Sequence, residues 1–217
     1  MVWLTTSALA VMLAAPMPAG GDCVLEGVLS LQTAAERTTV TDAVVYLKDG
    51  PSRARPRTKT HEMVQRQLQF WPRTMVVMVN DGVSFVNQDA AAEHSVFSTF
   101  GNDPFEGEVN KLATTYTRTF SKEGPVHIQC NVHKGMWADI LVLSSPAFAR
   151  PDAKGRWRIK GLERKNYTLV AWEPNGGEET REVVCGSGKV TIALEGRDPP
   201  EARRRDGSVY PPYVDAY

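Results

Sequence analysis

The sequence predicts an all-β chain folded as a β-sandwich or barrel, and three observations predict it. Short β-branched and aromatic runs recur along the 217 residues, Gly, Pro, Asn and Asp punctuate them, and no long amphipathic helix interrupts them. At this length the chain holds one ordinary domain or two small ones.

Taken in order, Val24–Leu29 and Ala43–Leu47 read as the opening strands, each bounded by polar turn residues. Met63–Phe70, Met75–Val79, Val83–Val86 and Val96–Phe100 follow, with Asn80-Asp81-Gly82 as a tight turn between the second and third. Tyr116–Phe120 alternates in character, and Lys122–Pro125 turns the chain again. Val126–Cys130 and Trp137–Leu143 then flank a short loop. Near Pro146 a second module begins: a turn at Pro151–Gly155 feeds a strand through Ile159, and Tyr167–Trp172, Thr180–Val184 and Lys189–Leu194 continue it. The tail from Arg197 is rich in Pro and charge and carries Tyr210, Tyr213 and Tyr217, so it is expected to be disordered or draped on the surface. The expected division is an export signal at 1–21, a first domain at 22–145, a second module at 146–196 and a disordered tail at 197–217.

The period of two sorts the side chains of the paired strands. Val126, Ile128 and Cys130 share the inward face, which turns His127 outward as a bystander. Continued past the loop, Ala138, Ile140 and Val142 face inward, and Trp137, Leu141 and Leu143 face outward. Outward apolar residues need a cover, and the second module is expected to supply it.

Lysine plus arginine equals aspartate plus glutamate at 25 each, so the balance gives no argument for nucleic acid or an acidic membrane surface. The basic clusters Arg53–Lys59 and Arg203–Arg205 read as solvated loop and tail. Val2–Ala15 is apolar and uncharged, too short to span a bilayer comfortably, and small residues follow it. It reads as an export signal with a cut ahead of Asp22, or as an uncleaved anchor, and no other membrane contact is expected. Three cysteines are present; setting Cys130 aside, Cys23 and Cys185 are free to form one disulfide in an exported protein or to stay as two buried thiols.

The chemistry concentrates at Cys130-Asn131-Val132-His133-Lys134-Gly135-Met136, where a thiolate, an imidazole and a thioether stand at C-x2-H-x2-M spacing, with His94 upstream. Two nitrogens, one thiolate and a weak thioether suit one copper ion in a blue, electron-transferring site. Structural zinc sites use more Cys and His and rarely Met. The spacing puts Cys130 at the end of one strand, His133 in the turn and Met136 at the start of the next. His61 and His127 are set aside as ligands. Glu93 beside His94 reads as surface, no acid–base pair or nucleophile stands out, and the chain is not expected to be an enzyme. With only four histidines, a multicopper oxidase is excluded.

These residues resemble those of the cupredoxins, small Greek-key blue copper proteins, with a short amicyanin-like loop. Gln67–Pro72, Val83–Asp89 and His94–Ser98 are similar to the exported cupredoxin-like proteins of methylamine-utilisation type. Asp152, Gly155, Trp157, Ile159, Gly161, Leu162, Tyr167, Leu169 and Trp172 resemble a carboxypeptidase regulatory-like, transthyretin-like β-sandwich. The resemblance spans about residues 22–195. It implies a periplasmic or otherwise exported electron carrier that binds copper through His94, Cys130, His133 and Met136 and serves a redox partner protein. Ser95 stands where such proteins commonly have Asn, which implies a weaker brace between two loops. Lys134-Gly135 stands where amicyanin-like loops carry Pro and an apolar residue, and Lys165 replaces the usual Gly before the Tyr strand. A copper carrier or sensor without redox traffic, and a metal-free scaffold, are the rival readings.

Overall fold

The computed structural model describes residues 23–32, 39–51, 58–101, 103–107, 111–197 and 201–210. The expected export signal at 1–21, Arg53–Arg57 of the first basic cluster, and Tyr213 and Tyr217 of the tail lie outside them. The fold is all-β. Its strands are β1 (Cys23–Leu31), β2 (Val44–Leu47), β3 (Thr60–Arg66), β4 (Gln69–Trp71), β5 (Thr74–Met78), β6 (Gly82–Asn87), β7 (Phe97–Gly101) and β8 (Phe105–Glu106). They continue with β9 (Thr115–Thr119), β10 (Gly124–Gln129), β11 (Trp137–Leu143), β12 (Phe148–Ala149), β13 (Arg156–Leu162), β14 (Asn166–Glu173), β15 (Gly177–Val184) and β16 (Val190–Leu194).

Four sheets pair into two sandwiches. The first sandwich sets a five-stranded sheet, β5-β11-β10-β7-β8, over a four-stranded one, β4-β3-β6-β9. Met63, Phe70, Phe85, Phe120, Ile128 and Ile140 fill the space between them. Within it β5 and β11 run parallel, as do β3 and β6. Asn80-Asp81-Gly82 does form a turn, with Asn80 at φ 69°, but it carries the chain from one sheet to the other instead of pairing β5 with β6. The buried Asp81 carboxylate holds that crossing, accepting from the amides of Lys59 (2.9 Å) and Met78 (3.1 Å) and meeting His61 Nε2 at 2.9 Å.

The second sandwich sets β13-β1-β16 over β12-β2-β14-β15. Here strand pairing departs from the expected division at residues 145/146. β1 runs antiparallel to β13, with Leu25 opposite Ile159, and parallel to β16, with Leu29 opposite Ile192. β2 pairs with β14 and β12. The reason is the apolar inner faces: Leu25 and Leu29 of β1 and Val45 and Leu47 of β2 bury against Trp157, Ile159, Tyr167, Leu169 and Ile192, so the opening strands complete the later module. The chain passes close here, since a Cβ on Gly27 would meet the Val190 carbonyl oxygen at 1.9 Å. Cys23, which begins β1, and Cys185, which follows β15, form a disulfide across a separation of 162 residues.

The faces of β11 alternate as the sequence predicts. Ala138, Ile140 and Val142 enter the first core, while Leu141 and Leu143 pack with Val44, Met78 and Trp172 in a cluster that joins the sandwiches. The second module therefore is the cover those leucines need. Trp137 is covered differently, by the Arg73 guanidinium 3.6 Å above its ring and by His127. His127 is turned away from the first core but is not free in solvent: its Nδ1 meets Asp139 Oδ1 at 2.8 Å. The pair faces an open cavity of about 560 Å³, lined also by Trp172 and by Arg203, Arg204 and Arg205. Those arginines belong to residues 201–210; this part of the tail, expected to be disordered or draped on the surface, lies over the loop after β10 with Tyr210 buried.

Candidate metal centre

Cys130 follows β10 and Met136 precedes β11, so the paired strands fix both ends of the loop. The Cys130 amide donates to the Met136 carbonyl at 3.0 Å and closes it. Gly135, at φ 79°, takes the left-handed turn that returns the chain after His133. Met136 is buried in the same core cluster as Cys130.

His94 comes from the loop between β6 and β7, and that loop is held by side chains. Asn87 Nδ2 donates to the Ala92 carbonyl at 2.8 Å, and Asn87 Oδ1 accepts the Asp89 amide at 2.8 Å. Asp89, to which the sequence reading gave no role, lies at this site. Its carboxylate accepts the amides of Gln67 (2.7 Å) and Leu68 (3.0 Å) and meets His94 Nε2 at 2.8 Å. Gln67 and Leu68 both sit at φ 55°, which turns two successive N–H groups toward one carboxylate. Burial pushes the Asp89 carboxyl up, but those two amides and His94 outweigh it and hold it below the usual range. The sequence signal was present: an Asp five residues ahead of a candidate histidine ligand. Its partners were not, because they sit on a turn more than twenty residues earlier.

The structure brings three of the four expected ligands together. One ligand atom each from His94, Cys130 and His133 lies within 4.8 Å of the others. The two Nδ1 atoms stand 3.1 Å apart, and Cys130 Sγ lies 3.8 Å from His133 Nδ1. His94 and Cys130 are fully buried; His133 is half-buried. With Nε2 facing the Asp89 carboxylate, Nδ1 is the His94 ring nitrogen directed into the cluster. Burial pushes the Cys130 thiol up, yet hydrogen bonds with His133 and His94, aided by the backbone of Ser95, bring it from 9.0 down to about 5. Burial likewise pushes the His94 imidazole down, and Cys130 and Asp89 raise it above its ordinary value. A deprotonated thiol with two convergent imidazole nitrogens fits a single borderline-soft cation, the donor set copper prefers.

Ser95, in the place where an Asn brace is usual, still makes a contact between the two loops. Ser95 Oγ accepts the Asn131 amide at 2.7 Å and lies 4.0 Å from Cys130 Sγ, so the shorter side chain still ties the two ligand loops. The Val132 amide donates to Cys130 Sγ at 3.4 Å. Lys134 is exposed.

No protein-family model matches the chain, and no curated protein does. Among solved structures, an oxidized amicyanin variant is 21% identical, over 38% of this chain and 80% of its own length, at a TM-score of 0.35. The Cu-containing nitrite reductase from Thermus scotoductus SA-01 is 22% identical over 45% of this chain, at a TM-score of 0.37, and this chain spans 25% of its length. A purple cupredoxin from Nitrosopumilus maritimus is 15% identical over 38% of this chain and 98% of its own, at a TM-score of 0.35. At these scores the likeness supports no inference, and the case for a metal rests on the side chains.

Proposed function

We propose that this chain is a type 1 copper protein of the cupredoxin kind that carries single electrons, and that it is a carrier and not a catalyst. The observation that supports it is the convergence of His94, Cys130 and His133 around a thiol lowered to about 5. Copper held there supplies a one-electron couple between Cu(I) and Cu(II). Cys130 would hold the ion as thiolate and His94 and His133 as imidazoles, with Met136 from the same buried cluster as a weak thioether donor. Asp89 orients His94 through Nε2, and Ser95 ties the loop bearing His94 to the loop bearing Cys130. Strands β10 and β11 hold Cys130 and Met136 at fixed ends, so the fold sets the ligand positions and little needs to move when the charge changes.

His133, half-buried while the other ligands are buried, is the outlet through which electrons pass to a redox partner protein. The Cys23–Cys185 disulfide supports an oxidising compartment, in keeping with an export signal at 1–21 and a periplasmic location. No helix of the described residues is long and apolar enough to cross a membrane. The second sandwich is a carboxypeptidase regulatory-like unit completed by β1 and β2.

Film voltammetry of the copper-loaded chain tests the carrier reading. A reversible one-electron wave that disappears in Cys130→Ser is the expected result. A protein that binds copper tightly but exchanges no electrons would favour a copper carrier or sensor instead.

A further inference from the structure

We propose that the segment 201–210 is a working part of the metal centre, and that Tyr210 is the positioning residue through which it acts on Cys130; this rests on the copper reading for its consequence, though not for its geometry. The segment places three hydrogen bonds on two consecutive residues of the metal loop. Arg204 Nε donates to the Asn131 carbonyl at 3.2 Å, the Arg205 amide donates to Asn131 Oδ1 at 2.9 Å, and the Tyr210 hydroxyl donates to the Cys130 carbonyl at 2.6 Å. The Arg205 guanidinium also pairs with Glu106 of β8, which pins the segment to the sheet that carries the loop.

Tyr210 is the residue that separates a clasp from a chance contact. Its neighbours from Arg205 to Val209 are exposed, while its own side chain is buried at 8% exposure. Its hydroxyl and Ser95 Oγ hold opposite ends of one peptide unit: Tyr210 takes the Cys130 carbonyl, and Ser95 takes the Asn131 amide. A peptide plane gripped at both C=O and N–H cannot rotate without losing one of the bonds. The next peptide unit is held by the same segment, through Arg204 on the Asn131 carbonyl, and its Val132 N–H points at Cys130 Sγ. Tyr210 thus acts on the sulfur through the backbone, without touching it. The sequence reading placed Tyr210 in a tail that is disordered or draped on the surface and gave it no partner, because its contact lies 80 residues away.

The test uses the full chain with Tyr210→Phe, which keeps the ring and removes the hydroxyl, and with Glu201→Gln as a control in the same segment. In metal-free protein, iodoacetamide alkylation of Cys130 is expected to speed up roughly two- to tenfold in Tyr210→Phe, the factor one lost hydrogen bond produces in an opening equilibrium, and to stay unchanged in Glu201→Gln. In copper-loaded protein, the thiolate–copper band and the copper hyperfine splitting are expected to shift in Tyr210→Phe alone. An unchanged alkylation rate overturns the proposal. Faster alkylation with an unaltered copper spectrum also overturns it, since the segment would then be a cover and not a positioning element. If no form of the protein takes up copper, faster alkylation still upholds the clasp, and it is the copper reading that fails.

Discussion

Each sandwich buries a group that titrates, and the two groups are pushed in opposite directions. Cys130, in the first, falls from 9.0 to about 5; burial works against that, and two imidazoles overcome it. Glu173, at the end of β14 in the second, rises from 4.5 to about 7. Burial is again the largest cause, but here the opposing partners are only the amides of Asn175 and Gly176, and the nearby charges of Asp42 and Asp139 add to the rise. Burial alone makes a site that keeps its proton; burial with imidazole partners makes one ready to release its proton to a metal. The cysteines divide in the same way. In the second sandwich two cysteines consume each other in a disulfide, whereas Cys130 is the free thiol among the described residues.

That contrast can be broken at several points. The largest effect is expected at the seam between the halves. Trp172→Ala removes the side chain that covers Leu141 and Leu143, and urea unfolding should show a loss of roughly 3–5 kcal/mol with increased binding of an apolar dye. A variant as stable as the original would mean the sandwiches stand independently.

Removing the disulfide comes next. Cys23→Ser with Cys185→Ser opens a loop of 162 residues and should cost about 2–5 kcal/mol, read by urea or thermal unfolding. The visible spectrum of bound copper should not change, because β1 and β15 supply nothing to the metal loop.

Glu173 gives the pH dependence of the second half. Its folded pKa lies above its ordinary value, so its contribution is fully present below about 4.5 and is lost as pH rises through about 7. Glu173→Gln should flatten that decline, by no more than about 3 kcal/mol between pH 4.5 and 8. A stability profile identical in the two proteins would show that Glu173 is already ionised without penalty.

The smallest of these effects falls at Asp89. Asp89→Asn removes the carboxylate that faces His94 Nε2, and copper affinity should drop about 10- to 100-fold, measured by competition with a chelator. Unchanged affinity would mean that Gln67 and Leu68, not His94, are what Asp89 serves.

The first sandwich was more legible in the sequence than the second, for a physical reason. Its strands run without a break through residues 60–143, and Cys130, His133 and Met136 lie in one loop between adjacent strands, so local alternation and spacing were enough to place them. The same alternation on β11 exposed the need for a cover at Leu141 and Leu143. The second sandwich draws β1 and β2 from the front of the chain and β12 to β16 from its back. Nothing in the local pattern of Leu25 or Val45 says which distant strand will pair with it. Asp89 and Tyr210 were missed for the same reason: each acts through partners brought near only by the fold, the Gln67-Leu68 turn for one and the Cys130 carbonyl for the other.

The central claim is that His94, Cys130 and His133 bind copper with Cys130 as thiolate. The most direct measurement is a visible absorption and electron paramagnetic resonance spectrum after addition of one equivalent of Cu(II), with Cys130→Ser beside it. The account predicts an intense blue band with narrow copper hyperfine splitting, both lost in the variant. A colourless protein, or an ordinary weak Cu(II) signal that survives in Cys130→Ser, would contradict it.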